Sequence, residues 1–156
     1  MADEKLERAQ RVFRGLCANL DARNWKYQKD EERLRIDCKV SGKDIPMDLS
    51  LRVDANKQLL MLLSTLPFNV PEDRRLDLAI AICHVNDMLV DGSFDYNVTD
   101  GHILFRMTSS FVESEIGDDL FTYLVGCSCR TIDDYNDKLM KVSLGVMSVE
   151  AFIQDC

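Results

Sequence analysis

Six consecutive residues, Ile82-Cys83-His84-Val85-Asn86-Asp87, contain the side chains of a cysteine hydrolase or a metal site. A thiolate beside an imidazole is a nucleophile–base pair, and both groups are good zinc ligands. The surrounding pattern predicts a helix from Pro71 to about Val90, however. Neighbouring helical residues point about 100° apart, so Cys83 and His84 cannot face each other. The helical wheel places Cys83 inward, on an apolar arc, and His84 outward.

Asn86 is the polar exception on that apolar arc. A buried amide without hydrogen-bond partners costs about 1–3 kcal/mol. We therefore expect its side chain to bond backbone groups of a neighbouring strand or loop, which is a structural role.

Two further cysteines, Cys127 and Cys129, form a Cys-x-Cys pair on a predicted helix. Residues i and i+2 of a helix lie about 200° apart, so redox or metal chemistry there requires the helix to break at Gly126. The chain has two histidines and no recognisable phosphate loop, nucleophile elbow or zinc motif. We predict no catalytic residue, no metal and no cofactor, and hence a protein that is not an enzyme.

Composition and charge limit the classes of function. The 156 residues suffice for one domain with a core, and their net charge is −8. Residues 71–156 carry 16 acidic and 6 basic side chains, which disfavours binding to nucleic acid. No run of about 20 apolar residues suits a membrane span, and the start lacks a signal sequence. We expect a soluble, cytoplasmic protein without a membrane interaction.

Hydrophobic periodicity predicts one α+β domain over residues 1–156, in the order αββββαββα. Alternating residues and short turns predict an antiparallel meander of four strands packed with amphipathic helices. The predicted helices cover residues 3–22, 71–90 and about 117–144, with a short tail at 145–156, and the strands fall near residues 25–28, 34–40, 47–53, 58–64, 94–98 and 103–107.

Several motifs of the chain resemble the YbjN family. They are Leu66-Pro67-Phe68-Asn69-Val70-Pro71-Glu72-Asp73-Arg74-Arg75, Val85-Asn86-Asp87, Gly92-Ser93-Phe94-Asp95-Tyr96, Ile132-Asp133-Asp134-Tyr135 and Val142-Ser143-Leu144-Gly145. Members of that family are labelled sensory transduction regulators. The family is similar in fold to type III secretion chaperones, which form homodimers and hold a partner in extended form. The resemblance implies such a fold and brings no catalytic residue with it.

Two functions follow as hypotheses. The first is a non-enzymatic, chaperone-like protein-binding module, since the strand near residues 58–64 is apolar on both faces. Leu60, Leu62 and Leu104 are then candidates for a surface that meets a partner polypeptide or a second copy in a homodimer. Alternatively, the long last helix covers that face itself. The second hypothesis is a small-ligand sensor with a pocket between sheet and helix, lined by Trp25, Tyr27, Phe94 and Tyr96.

Overall fold

The computed structural model describes residues 1–156, apart from the side chain of Ala2. Its helices are α1 (Ala2–Ala22), α2 (Arg75–Met88), α3 (Asp118–Ser143) and α4 (Val149–Asp155). Its strands are β1 (Gln28–Asp30), β2 (Arg35–Val40), β3 (Met47–Asp54), β4 (Leu59–Thr65), β5 (Ser93–Asn97) and β6 (His102–Ser110). The α+β class and the predicted αββββαββα order are confirmed, and the short helix α4 follows that order in the tail.

One antiparallel sheet contains all six strands, in the spatial order β1-β2-β3-β4-β6-β5. β4 is central, and Leu62 pairs with Leu51 of β3 on one side and with Met107 of β6 on the other. β1 begins later than predicted, because Asn24 takes a positive φ of 58° and the Trp25 N–H still bonds the Leu20 carbonyl at 3.0 Å. Trp25 therefore belongs to the turn that follows α1.

The helices pack on one face of this sheet. α1 packs against β3, and α3 packs against β3, β4 and β6 on the same side, where the Ser128 hydroxyl lies 3.6 Å from the Met107 sulfur. α2 packs against β5, α3 and α4. The strand residues buried beneath these helices are Ile36, Cys38, Leu49, Leu51, Val53, Leu60, Leu62, Ile103, Phe105 and Met107. The long last helix covers the face that α1 covers, so the alternative in which it covers the second face is wrong.

Glycines mark one end of α3 without breaking its middle. α3 continues through Gly126, and the predicted boundary near residue 144 agrees with its end at Ser143. Gly145 then takes a φ of 70°, a left-handed conformation that suits glycine at a helix C-terminus. Ser148 begins α4 by accepting a hydrogen bond from the Ala151 N–H at 3.1 Å.

Among the residues described, no helix has the length and apolar character needed to cross a bilayer.

Candidate functional site

The cysteine–histidine motif lies in α2 and forms no reactive pair. The buried arc of α2 consists of Leu78, Ala81, Ile82 and Val85. This arc leaves Cys83 exposed and His84 half-buried, so the predicted orientation of the two residues is wrong. Among the described residues, no group of three or more His, Cys, Asp or Glu side chains could hold a metal ion.

Apolar residues on both sides of α2 explain the wrong orientation. Leu76 and Ile80 lie on its outer face, 80% and 51% exposed, so the helix has no single apolar stripe that marks its inward side. Only the contacts of the folded chain decide which stripe is buried.

Asn86 fulfils the predicted structural role. Its Nδ2 donates to the Phe94 carbonyl at 3.0 Å, and the Phe94 N–H donates to its Oδ1 at 2.9 Å. β5 is an outer strand of the sheet, and the N–H and C=O of one strand residue point to the same side. The Asn86 amide therefore occupies the place of a neighbouring strand at the β5 edge.

The remaining cysteines are free thiols. Cys17 and Cys38 are buried, and burial raises the pKa of the Cys38 thiol to about 12. Cys127 and Cys129 are half-buried on the unbroken helix α3, and burial raises the pKa of Cys129 to about 11. Thiols with raised pKa values are poor nucleophiles at neutral pH, because little thiolate is present.

The four aromatic residues proposed for a ligand pocket are divided among different surroundings. Phe94 is 2% exposed and packs edge-on against Phe105, with ring centroids 5.2 Å apart. Trp25, Tyr27 and Tyr96 are half-buried against the core. Tyr27 is the one of the four that lines a concavity on the surface of the sheet. A pocket enclosed by these four side chains between sheet and helix is therefore not formed.

The second face of the sheet carries no helix of this chain. We call it the open face and define it by the strand residues whose side chains point away from the helices. They are Gln28, Asp30, Arg35, Asp37, Lys39, Asp48, Ser50, Arg52, Asp54, Leu59, Met61, Leu63, Thr65, Ser93, Asp95, Asn97, His102, Leu104, Arg106, Thr108 and Ser110. The concavity on this face has a volume of about 970 Å³.

The three residues predicted to meet a partner do not share a surface. Leu60 and Leu62 are 1% and 0% exposed and belong to the core beneath the helices, so neither can contact a partner of the folded chain. Leu104 is half-buried on the open face and lines the concavity. The prediction placed the even-numbered residues of β4 on the outer face, whereas the odd-numbered ones lie there. Successive side chains of a strand point to opposite faces, so a shift of one residue exchanges the two sets.

The apolar residues of the open face are the odd-numbered members of β4. Leu59, Met61 and Leu63 are half-buried, and we call them the central apolar row. Leu104 lies diagonally beside Leu63, because Leu63 pairs with Arg106 and Thr65 pairs with Leu104. The pairing of β3 with β4 is the signal that could have revealed this row. β3 alternates clearly and buries Leu51 and Val53, which pair with Leu62 and Leu60, so the odd-numbered residues of β4 must lie on the other face.

The arginines that flank the central apolar row differ in their ion pairs. On the β5–β6 side, Arg106 is paired with Asp95 at 2.8 Å. On the β2–β3 side, Arg35 is paired with Asp37 at 2.7 Å, while Arg52 contacts only the Ser50 hydroxyl, at 3.3 Å. Among the described residues, Arg52 therefore lacks an ion pair, although Asp48, the cross-strand partner of Lys39, and Asp54 balance the total charge of the β2–β3 side.

Comparison with known proteins agrees with the resemblance seen in the sequence. The YbjN family model, described as "Putative bacterial sensory transduction regulator", matches residues 15–140, and the chain belongs to this family. The chain is also similar to a crystal structure of Escherichia coli YbjN, described as "a putative transcription regulator". That similarity has a TM-score of 0.59 at 10% sequence identity, and it covers 87% of this chain and 94% of the other. No curated protein sequence matches the chain.

Proposed function

We propose that this YbjN-family protein is a non-enzymatic binding module whose open face holds an apolar segment of a partner polypeptide. The observation that carries the proposal is the one-sided placement of the helices, which leaves the central apolar row and Leu104 without a covering layer. A half-buried apolar row on the middle strand of a sheet gains free energy when a second layer removes it from water. Regulation by such a protein then acts through occupancy of this face.

The edges of the sheet are poor places for a partner strand. At one edge, Asn86 already bonds the outward N–H and C=O of Phe94. At the other, β1 has only three residues, and very short edge strands offer few free backbone groups. Packing on the open face is therefore favoured over the addition of a strand.

Packing on a sheet face determines the conformation of the bound segment. The backbone groups of the central strands bond one another within the sheet, so they offer no hydrogen bonds to a layer above. A segment bound there must satisfy its own backbone groups, as an amphipathic helix does. We propose a helical segment, in place of the extended segment that the chaperone resemblance implies.

A small ligand in the same concavity is the competing function. Its support is the volume of about 970 Å³, which is in the range of small-molecule pockets. The lining then joins Tyr27, Leu63, Leu104 and charged side chains rather than the predicted aromatic set. Peptide length separates the two functions, since a helix that covers the row must bind more tightly than a short fragment of it.

The test uses a fluorescein-labelled helical peptide of about five turns, with one leucine stripe and uncharged polar residues elsewhere. Fluorescence anisotropy measures its binding to the wild type and to the double variant Leu63→Asp, Leu104→Asp. Because both substitutions place a carboxylate in the apolar contact, we expect binding to weaken by at least about tenfold.

The matched control is the double variant Leu76→Asp, Ile80→Asp, which changes two exposed apolar residues of α2 in the same way. We expect this control to bind the peptide like the wild type. Absence of binding to the wild type, or an equal loss in both variants, contradicts the proposal. A six-residue fragment that binds as tightly as the full peptide supports the small-ligand function instead.

A further inference from the structure

The concavity of the open face contains a hollow that specifies the partner more closely, provided that the proposed binding function is correct. We infer that the partner helix carries an uncharged aromatic side chain, with tryptophan the best fit, and that this side chain inserts above Ser50. The central apolar row holds the helix as a whole, whereas the hollow selects the residue that lies over β3.

Ser50 produces the hollow, because it is the smallest outward side chain of β2, β3 and β4. It pairs with Asp37 on one side and with Leu63 on the other. Two strand spacings, about 10 Å, separate the Cα atoms of these two neighbours. Along β3 the next outward residues are Asp48 and Arg52, each about 7 Å from Ser50. Four larger side chains therefore surround a gap that is wide enough for a flat ring.

The floor of the hollow is the backbone of the sheet. Cys38 and Leu49 pair across β2 and β3 and both line the concavity. Their side chains belong to the core on the opposite face and are 6% and 2% exposed. Since those side chains point toward the helices, the concavity reaches the backbone atoms of these residues. It is therefore deep between β2 and β3, beside Ser50.

The sides of the hollow suit an aromatic ring better than an aliphatic side chain. Leu63 and Leu104 form an apolar wall on the β4–β6 side. Arg52 lies at one end, and among the described residues its one polar contact is the Ser50 hydroxyl, at 3.3 Å. A guanidinium group without an ion pair is free to stack on an aromatic ring, and tryptophan gives the strongest attraction. An aromatic ring can contact the leucines and the guanidinium together.

The charges of the open face favour an uncharged occupant. From β2 to β6, four acidic and four basic side chains point outward, so their charges balance. Arg35 has Asp37 at 2.7 Å. Lys39 lies opposite Asp48 across the two strands. An ion in the hollow would lose its hydration and upset this balance, whereas a neutral ring does neither.

Two helical peptides that differ at one position test the inference. Both have the leucine stripe and the uncharged polar residues of the peptide described above, and in one of them tryptophan replaces the central leucine. We expect the wild type to bind the tryptophan peptide about tenfold more tightly, because a buried aromatic anchor contributes most to binding. Ser50→Leu fills the hollow and should abolish this difference while the leucine peptide still binds.

Thr108→Leu is the matched control. It introduces the same side chain at an exposed position of the open face that does not line the concavity. We expect this control to keep the preference for tryptophan. Circular dichroism verifies that both variants are folded, and Ser50→Val should act in the same direction if the leucine variant does not fold.

The other outcomes overturn the inference and identify what failed. If both peptides bind the wild type equally and Leu63→Asp with Leu104→Asp abolishes both, the binding function stands and the aromatic anchor is wrong. An unchanged preference in Ser50→Leu places the ring elsewhere. If neither peptide binds, the binding function itself is wrong. If N-acetyltryptophanamide binds as tightly as the tryptophan peptide, the hollow serves a small aromatic ligand instead of a partner helix.

Discussion

Asn86 illustrates how one polar side chain can complete a sheet. Its amide presents a donor and an acceptor together, which is the pattern that an adjacent strand would present to Phe94. Phe94 is 2% exposed, so its backbone groups have little access to water. An apolar residue at position 86 would leave both groups without partners.

Asn86→Leu should therefore lower the free energy of unfolding by about 1–3 kcal/mol. Urea denaturation followed by circular dichroism measures the change. Asp87→Ala is the control, since Asp87 is exposed on the same helix and its loss should change stability by less than about 0.5 kcal/mol. An unchanged midpoint for Asn86→Leu would show that the Phe94 backbone finds other partners.

The orientation of Cys83 on α2 does not follow from the residue types around it. The position is apolar in character and lies next to Ile82, which is buried, yet its own side chain is exposed. A helical wheel orders residues around an axis, and it determines the inward direction only when one side is polar. The contacts of α2 with β5, α3 and α4 determine that direction here.

At the scale of elements, α3 tolerates a glycine in its middle. A Cβ added at Gly126 would meet no atom within 4 Å, so the position has room for alanine. Glycine inside a helix costs about 1 kcal/mol relative to alanine, because it loses more backbone freedom on folding. The apolar stripe and the packing of α3 on the sheet keep the helix continuous despite this cost.

Gly126→Ala should raise the free energy of unfolding by about 0.5–1 kcal/mol. Thermal unfolding followed by circular dichroism should then show a melting temperature higher by about 1–4 °C. Gly15→Ala in α1 is the matched control, since its Cβ would lie 3.2 Å from the Phe121 ring and steric crowding offsets the gain. Equal stabilisation by both substitutions would contradict this account of packing.

β4 shows how strand parity separates core from surface. Its residues are apolar at nearly every position, and only the pairing with β3 and β6 assigns the even-numbered side chains to the core. The strand order places β4 between β3 and β6, and an apolar run by itself does not show which of its two faces the helices cover.

Acidic and basic residues are distributed unequally along the chain. Residues 1–70 carry 13 basic and 11 acidic side chains, and residues 71–156 carry 6 basic and 16 acidic ones. The concavity draws its charged lining from the first of these segments. Across β2 to β6 the open face balances its charges, with Arg35, Lys39, Arg52 and Arg106 against Asp37, Asp48, Asp54 and Asp95. We propose that it meets a partner polypeptide rather than the second copy that the resemblance implies.

Light scattering coupled to size-exclusion chromatography should accordingly give a mass near 17.9 kDa at micromolar concentration. The same mass is expected in low and high salt. A dimer that forms in the wild type and is lost in the Leu63→Asp, Leu104→Asp variant would place a second copy on the open face. A dimer that survives in this variant would use another surface and leave the open face available.

The sequence by itself determined those features of the protein that depend on interactions between neighbouring residues. Hydrophobic periodicity and turn chemistry were sufficient for the α+β class, the order of the elements, the length of α3 and the hydrogen-bonding role of Asn86, because these depend on neighbouring residues. Tertiary structure alone decided which face of β4 and which side of α2 are buried, and that all the helices pack on one side of the sheet. Those choices depend on pairing between segments far apart in the chain, and a uniformly apolar segment is compatible with either orientation.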